Sequence, residues 1–273
     1  MPYQAEEVLP GVWQILDPLN VCTTLLCGEK SALLIDTGHG LTDLHAFVAT
    51  LTRLPLRVIL THGHFDHALG ARWFPETEMF PEDLPDFAEY TALKTRQLIL
   101  GLARDAGVEP VGDYLTAEIP VPRPLEEQTI DLGGLTAQVI RCPGHTPGSA
   151  VLWVKERQLL LTGDDWNPCT WLFFPSALPA FDFRRNMEQV LALPFRQALC
   201  SHRTRLYDRS EVERFFAHLT PENLAQAGPA ETGWDYGDQR VAPMGSLKDE
   251  DMILVFDRNK CLSELNEEKG NKA

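Results

Sequence analysis

The sequence predicts an α/β protein in which two β-sheets pack face to face and helices cover their outer faces. Three observations support this class. Apolar stretches of strand length, separated by turns, recur along the chain. Segments with helical spacing of apolar residues follow the strands in each half of the chain. Several predicted strands end at polar residues, which indicates that the loops at the strand ends carry the functional side chains.

The first half begins with three predicted strands, at residues 11–16, 21–27 and 31–40, and the third runs into a glycine-rich loop. A helix is predicted from Leu41 to Leu54, with Thr42 as its N-cap. The apolar segment from Arg57 to Leu60 predicts a buried strand that ends just before a group of histidines. These histidines are therefore expected on a loop at the end of a strand.

The second half begins with a long helix predicted from Asp86 to Ala106, which Gly107 ends. Further strands are predicted at residues 126–132, 135–142, 150–156, 158–165 and 197–202. Helices are predicted at residues 184–193 and 210–219, the second with Ser210 as N-cap and Glu213 three residues later. Residues 251–256 are a strand candidate within a turn-rich C-terminal region.

The predicted organisation is one catalytic domain with a C-terminal extension. The catalytic domain covers residues 1–220, and residues 221–262 form an extension that packs on it. Residues 263–273 are polar and are predicted to be disordered. Trp234 and Tyr236 in the extension either cover a neighbouring subunit, which leaves a homodimer open, or pack on the domain.

Composition and charge favour a cytoplasmic protein that acts on small molecules. The formal net charge is -15, which repels phosphate groups, so neither nucleic acid nor a membrane is expected as a partner. The first residues lack the pattern of a signal peptide, and no apolar run approaches ~18 residues. The cysteines have no paired spacing and are predicted to be free thiols. They are Cys22, Cys27, Cys142, Cys169, Cys200 and Cys261.

Three histidines and a carboxylate lie within the six-residue segment HGHFDH at 62–67. Core packing does not require such a density of polar side chains. A single histidine is more often an ordinary core or surface residue, but imidazole nitrogens and a carboxylate oxygen grouped in one loop are typical metal ligands. The segment therefore predicts a metal site that involves His62, His64, Asp66 and His67.

The same segment resembles the His-x-His-x-Asp-His signature of the metallo-β-lactamase superfamily. Later segments resemble the further ligand positions of that family in the same order. They are PGHTPGS at 143–149, which contains His145, LTGD at 161–164, which ends at Asp164, and CSH at 200–202, which ends at His202. Residues 36–38, DTG, also resemble a turn of the family. The resemblance extends over about residues 8–218 and implies an αββα sandwich of two mixed β-sheets flanked by helices, the metallo-β-lactamase fold.

The resemblance implies a centre for two divalent metal ions. It assigns His62, His64 and His145 to the first ion, Asp66, His67 and His202 to the second, and Asp164 as a bridge between them. Nitrogen and oxygen ligands favour zinc and are also compatible with iron or manganese. In such a centre a metal-bridging hydroxide attacks the substrate, and Asp66 is the catalytic residue expected to orient the water or carry its proton.

This ligand set implies hydrolysis of an ester, thioester, lactone or related bond in a small molecule. The bridging Asp164 makes the set more similar to that of glyoxalase II and the lactonases than to that of a true β-lactamase. The alternative is an oxidoreductase similar to the mononuclear-iron sulfur dioxygenases of the same superfamily, in which the second metal position is unfilled. His67 and His202 favour the hydrolase, and a count of bound ions separates the two hypotheses.

Residues beside the ligands have two interpretations each. Asp165 is either an acceptor for a ligand imidazole or a solvent-facing carboxylate, and Asp36 is more consistent with support of the site than with substrate binding. The aromatic segment 166–175 either lines a substrate pocket or packs in the core, and Arg203 either binds a substrate anion or lies in solvent. The substrate contacts predicted on this basis are Trp166, Trp171, Phe173 and Arg203.

Overall fold

Two mixed β-sheets form the centre of the computed structural model, which describes residues 3–247 and 250–265. The first sheet contains seven strands in sequential order, β1 Gln4–Leu9, β2 Val12–Leu16, β3 Cys22–Cys27, β4 Ala32–Ile35, β5 Leu56–Ile59, β6 Glu78–Met79 and β7 Arg123–Pro124. The second contains β8 Gln128–Asp131, β9 Thr136–Arg141, β10 Ala150–Val154, β11 Leu159–Leu161, β13 Gln197–Leu199 and β14 Tyr207–Asp208, in the order β14-β13-β11-β10-β9-β8. Each sheet combines parallel and antiparallel pairs.

The main core lies between these two sheets. Apolar side chains on the facing sides pack together, among them Leu33 and Ile59 of the first sheet and Val139 and Leu152 of the second. All four are buried. Burial of this apolar surface holds the sheets face to face and fixes the relative positions of the loops at their ends.

Helices cover the outer face of each sheet. The chain forms α1 Leu44–Leu51, α2 Phe65–Ala68, α3 Leu84–Tyr90, α4 Leu93–Asp105, α5 Ala180–Leu191, α6 Arg209–His218 and α7 Pro221–Ala225, of which α1, α5 and α6 are examples of this packing. Val48 of α1 packs on the first sheet, while Met187 of α5 and Phe215 of α6 pack on the second. The layers therefore follow the helix–sheet–sheet–helix order that the sequence predicts.

A third sheet of four strands was not predicted. It pairs β12, Cys169–Leu172, with three strands of the C-terminal region, β15 Gly228–Pro229, β16 Gln239–Ser246 and β17 Asp251–Asp257, in the order β12-β17-β16-β15. β12 and β17 run parallel, with Cys169 opposite Ile253. The C-terminal extension is thus joined by backbone hydrogen bonds to a strand that lies between two ligand-bearing loops.

Two predicted helix starts are wrong by a few residues. α1 begins at Leu44 and not at Leu41, because Asp43 accepts from the Ala46 N–H at 2.8 Å and acts as the N-cap in place of Thr42. α6 begins at Arg209, where a different pair from the predicted one forms the capping box. That pair is Asp208 and Glu211.

The single long helix predicted from Asp86 to Ala106 is also wrong, because the chain forms two helices, α3 and α4. The break falls at Ala92, whose backbone is extended. The Thr91 N–H and hydroxyl both donate to the Phe87 carbonyl, and the Arg96 guanidinium donates to the Thr91 carbonyl. The Arg96 side chain thus satisfies the Thr91 carbonyl, which a continuous helix would pair with a backbone N–H, and the apolar spacing alone did not reveal the break.

The C-terminal predictions are tested only in part. Residues 266–273, most of the predicted disordered tail, lie outside the described residues, whereas residues 263–265 are helical. All six cysteines are free. Among the described residues, no helix has the length and apolar character needed to cross a bilayer.

Candidate metal centre

Loops at the ends of several strands bring the sequence-predicted ligands together. The first strand, β5, leads into the segment that carries His62 and His64, and α2 follows with Asp66 and His67. The other three ligands follow β9, β11 and β13. They form two groups, His62 with His64 and His145, and Asp66 with His67, Asp164 and His202, and in each group one ligand atom per residue lies within 4.8 Å of the others.

The first group consists of three buried imidazoles. Nδ1 of His64 lies 2.9 Å from Nε2 of His145. The His145 Nδ1 lies 2.7 Å from the Trp171 carbonyl, which can only accept, so Nδ1 carries the proton. In the neutral ring Nε2 then presents its lone pair to the group, as a metal ligand must.

The second group contains both carboxylates. Oδ2 of Asp164 lies 2.9 Å from Nε2 of His202 and 3.7 Å from Nε2 of His145. Oδ1 of Asp164 lies 3.5 Å from Nε2 of His67. Oδ2 of Asp66 is 3.6 Å from His202 and 3.7 Å from His67. The Asp164 carboxylate therefore faces ligands of both groups, which is the arrangement that a bridge requires.

Asp36 orients ligands of both groups. Its Oδ2 accepts from Nδ1 of His67 at 2.8 Å, and its carboxylate accepts the Thr61 hydroxyl at 2.8 and 2.9 Å. Because that hydroxyl donates to Asp36, it accepts from Nδ1 of His62, 3.1 Å away. Hydrogen bonds of this kind fix the tautomer and direction of a ligand imidazole. The structure thus favours a supporting role for Asp36 over a direct contact with substrate.

The surroundings of the first group favour neutral imidazoles. Burial lowers the pKa of His62 and His64 well below the ordinary value, and neighbouring imidazoles lower it further. Burial also lowers the pKa of His145, against the opposing effect of Asp164. Neutral rings are the form that binds metal.

The second group has the opposite balance. Burial would lower the pKa of His67, but the carboxylates of Asp164, Asp36 and Asp66 raise it well above the ordinary value. Asp164 and Asp66 also raise the pKa of His202 against the effect of burial. In return His202 and His67 hold the pKa of Asp164 well below its usual range despite burial. The carboxylates concentrate negative charge that a cation would neutralise.

The donor atoms fit divalent metal ions. Among the described residues, Nε2 of His62, Nε2 of His67 and Oδ1 of Asp164 are buried without a hydrogen-bond partner. Leaving buried polar atoms unpaired is costly, so several such atoms pointing at one place indicate a ligand. Imidazole nitrogens and carboxylate oxygens are ligands for zinc, and iron and manganese are also compatible.

Three more buried carboxylates adjoin the centre: Asp86, whose Oδ2 lies 3.8 Å from Nε2 of His64, and the almost fully buried Asp83 and Asp165. Asp165 is neither solvent-facing nor bonded to a ligand imidazole, since it is 1% exposed and its Oδ1 accepts the backbone N–H of His145 at 3.1 Å. Burial raises its pKa well above the usual range. Burial also raises the pKa of Asp83 to about 6, against the effect of hydrogen bonds from Thr146, Gly148 and Gly63.

A cavity of about 240 Å³ opens over both groups. Its floor is formed by ligands, among them Asp66, Asp164 and His202. Its walls are mostly apolar, and they consist of Phe65, Cys169, Trp171 and Phe174, with Asn167 and Arg203 as polar members. The cavity can therefore hold an apolar group next to the ligand atoms.

The predicted substrate contacts divide into two pairs. Trp171 and Arg203 line the cavity. Trp166 does not, because its ring is fully buried and packs edge-on against Tyr207 and Phe215, so its prediction as a substrate contact is corrected to a core role. Phe173 is 1% exposed and stacks on Phe174, behind the wall.

Sequence reasoning did not single out several residues that the structure brings to the site. Phe65, Asn167, Cys169 and Phe174 line the cavity, and they lie inside or beside segments that the motifs already marked. Asp83 carried no signal, because it lies outside every motif. Proximity in sequence to a ligand could have drawn attention to the first four, but not to Asp83.

The C-terminal extension holds the cavity walls. The Arg203 guanidinium donates to Glu250 at 3.1 Å. Nζ of Lys260 donates to the Phe174 carbonyl at 2.8 Å. Trp234 and Tyr236 stack on each other, and Trp234 also packs against the rings of Phe65 and Phe174.

Similarity to known proteins agrees with this centre. The chain matches the model of the metallo-β-lactamase superfamily over residues 16–179. The probable metallo-hydrolase YybB of Bacillus subtilis (strain 168) is 34% identical over 168 residues, which span 59% of this chain and 69% of the relative. The acyl-coenzyme A thioesterase MBLAC2 of Homo sapiens is 26% identical over 175 residues, which span 53% of this chain and 60% of the relative.

A solved structure gives the same relationship. TTHA1623 in a di-iron-bound form has a TM-score of 0.51 and 26% sequence identity, over 73% of this chain and 95% of that one. The family match covers more than half of the described chain and ends before the C-terminal sheet strands β15 to β17. The chain belongs to the metallo-β-lactamase superfamily, and its αββα sandwich is the metallo-β-lactamase fold.

Proposed function

We propose that the protein is a binuclear metal-dependent hydrolase that cleaves an ester, thioester or lactone bond in a small molecule with an apolar acyl group. The position of Asp164 carries this proposal. Its carboxylate lies 2.9 Å from His202 of one ligand group and 3.7 Å from His145 of the other, on the floor of the cavity. One carboxylate between two ligand groups suits a pair of metal ions that share a bridging ligand.

The seven proposed ligands form two ion-binding groups. His62, His64 and His145 would hold one ion, Asp66, His67 and His202 would hold the other, and Asp164 would serve both groups. When bound, divalent ions would supply a water molecule with its pKa lowered towards neutrality and would polarise the carbonyl oxygen of the substrate. Zinc is the first choice for this donor set, followed by iron and manganese.

Asp66 is the residue best placed to move a proton. Its Oδ2 lies between His202 and His67, and the side chain also lines the cavity, where a substrate binds. From this position the carboxylate accepts the proton of the attacking water and delivers it to the leaving oxygen or sulfur. Its 14% exposed side chain keeps the proton in contact with solvent for the next cycle.

The cavity walls favour an acyl group without charge. Phe65, Trp171 and Phe174 provide aromatic surface directly beside the ligands. Such surface stabilises an apolar group through burial, while the polar floor orients the bond to be cleaved. The similarity to an acyl-coenzyme A thioesterase is compatible with a thioester as that bond.

The first experiment measures metal content and activity on the same preparation. Elemental analysis is expected to give about two ions per chain, and a panel of thioesters, esters, lactones, phosphodiesters and β-lactams is expected to reveal activity on acyl bonds. One iron per chain, with oxygen consumption on a persulfide substrate, would support the sulfur dioxygenase alternative. Less than one ion under metal-replete conditions would refute the metal-dependent function.

The matched variant for this experiment is Asp164→Asn, which keeps the shape of the side chain and removes its charge. It is expected to lower kcat by at least about 10³-fold, since loss of one electrostatic group in an active site costs roughly 10²–10³ and this group faces both ions. Glu126→Gln, an exposed carboxylate that does not line the cavity, is the control. Equal activity of both variants would contradict the role of Asp164.

A further inference from the structure

Asp83 is a fully buried carboxylate that none of the family-like motifs contains. It ends the short 3₁₀ turn Pro81–Asp83 and precedes α3, so it enters the site from a part of the chain that carries no predicted ligand. Burying a carboxylate costs free energy, because hydrogen bonds must offset the desolvation of the charge. Its partners therefore indicate its role.

Three donors surround Asp83, and they come from two loops. Oδ2 accepts the Gly63 N–H at 3.0 Å and the Thr146 hydroxyl at 2.7 Å. Oδ1 accepts the Gly148 N–H at 2.5 Å. Gly63 lies between His62 and His64, whereas Thr146 and Gly148 follow His145. One carboxylate thus joins the two loops that carry all three ligands of the first group.

Both glycines are needed for this close approach. A Cβ at position 63 would lie 2.5 Å from the backbone nitrogen of Phe87. A Cβ at position 148 would lie 2.7 Å from Oδ1 of Asp83. Any side chain at either position would push the Asp83 segment away from its loop. Close packing therefore fixes the distances between the two loops and the segment that contains Asp83.

We propose that Asp83 is a positioning residue that sets the separation between the His62–His64 loop and the His145 loop, and thereby the metal affinity of the first ligand group. The inference rests on the proposed function only in that an ion binds this group. Asp83 itself does not contact the ligand imidazoles through a hydrogen bond, so it acts through the backbone of the loops.

Only a carboxylate satisfies all three donors. An amide at position 83 has one accepting oxygen, and its NH₂ group cannot accept. Whichever way that amide turns, its NH₂ group would face the N–H of Gly63 or of Gly148 and leave it without an acceptor. Asp83→Asn therefore keeps the shape of the side chain but removes a backbone hydrogen bond through which Asp83 joins the two loops.

The test measures metal binding to the first group alone. In a His202→Ala background, which disables the second group, the metal-free protein is titrated with zinc in competition with a chromophoric chelator. Adding Asp83→Asn is expected to weaken binding by roughly 10–100-fold, the usual effect of losing a residue that supports metal ligands. The control is Glu126→Gln, an exposed carboxylate outside both loops.

The reciprocal background separates positioning from general damage to the fold. In a His64→Ala background, only the second group is complete, and Asp83→Asn is expected to leave its zinc affinity within about twofold of the control. Thr146→Val, which removes one of the three donors, is expected to give a smaller loss in the first background and keeps the proposal testable if Asp83→Asn fails to fold. Unfolding by urea checks that each variant is folded.

Two results would overturn the inference: unchanged zinc affinity of the first group in both variants, or equal weakening in both backgrounds. Failure of the proposed function has a different signature, since the unmodified chain would then bind less than one ion. Hydrogen exchange in the metal-free protein adds a readout independent of zinc. In Asp83→Asn, faster exchange is expected in the peptides that contain Gly63 and Gly148, and unchanged exchange there would also count against the role.

Discussion

The two ligand groups of the centre lie side by side but are built differently. The first contains three imidazoles, each no more than 3% exposed. The second contains two carboxylates and two imidazoles, and the side chain of His202 is 29% exposed. Both groups border the cavity, but the first is uncharged and more deeply buried, and the second is charged and more exposed to solvent.

This difference indicates how each group is prepared for a cation. In the first, burial keeps the pKa of each imidazole low, so the lone pairs are available without proton release. In the second, the carboxylates raise the pKa of His67 and His202, which favours the protonated rings, so that a metal competes with protons there. The first group depends on the rigidity of its loops, whereas the second depends on charge.

The largest expected effect is the stabilisation of the fold by metal, in two unequal steps. An ion at 100 times its Kd stabilises the native state by about 2.7 kcal/mol per site, because it binds the folded chain and not the unfolded one. Chelator titration followed by thermal unfolding is expected to show two decreases in Tm. The ion of the second group should leave first, since its site is more exposed to solvent.

The assignment of the two steps is checked with His202→Ala, which lacks a ligand of the second group only. This variant is expected to lose the early step and to keep the late one. If the late step disappears instead, the more deeply buried group holds its ion more weakly than the more exposed one, and the comparison is reversed.

Asp36→Asn tests how much the charge of Asp36 contributes to zinc binding by the second group. Asp36 accepts directly from His67, whereas it reaches His62 only through the Thr61 hydroxyl. The variant is expected to weaken zinc binding by the second group roughly 10–100-fold and to affect the first group less. Zinc titrations in the His64→Ala and His202→Ala backgrounds measure the two groups separately.

The control for Asp36→Asn is Asp43→Asn, which replaces the N-cap of α1 and lies outside the centre. It is expected to leave both stability and zinc affinity nearly unchanged, because asparagine caps a helix about as well as aspartate does. If Asp36→Asn weakens both groups to the same extent, the path through Thr61 is as strong as the direct bond to His67, and the two groups share one support.

The sequence was sufficient to predict which residues lie together at the centre, because the motifs follow strands whose ends meet at one edge of the sandwich, and their role as metal ligands stays a prediction. His62, His145 and Asp164 each follow a strand that apolar spacing predicted, and the structure brings them together. The metal count and the metal itself remain predictions. The layer order was predictable for the same reason, since the central strands and the helices that pack on them carried periodic signals.

Other features could not be predicted, because they depend on contacts between distant segments. The third sheet pairs Cys169 with Ile253, and no local pattern encodes that register. Trp166 follows two aspartates of the site, but its ring turns into the core because Tyr207 and Phe215 form its pocket there. The proposed role of Asp83 depends on its contacts with Gly63 and Gly148, which lie in two other loops.

The smallest expected effect concerns the wall beside the first group. Phe174 lies over this group, with its ring centroid 4.6 Å from that of His64 and 5.8 Å from that of His145. Nζ of Lys260 donates to the carbonyls of Phe174, Pro175 and Ala177 at 2.8, 2.9 and 2.7 Å, and so ties this wall to the C-terminal extension.

Lys260→Met removes these three bonds and retains an apolar chain of similar length. It is expected to raise KM by about tenfold for the substrates with the largest acyl groups, the effect of altering one apolar contact in a pocket, and to leave zinc affinity and kcat nearly unchanged. The control is Lys94→Met, an exposed lysine of α4. A loss of zinc affinity in Lys260→Met would show that the wall also supports His64 and His145, so that the first group depends on the extension as well as on its own loops.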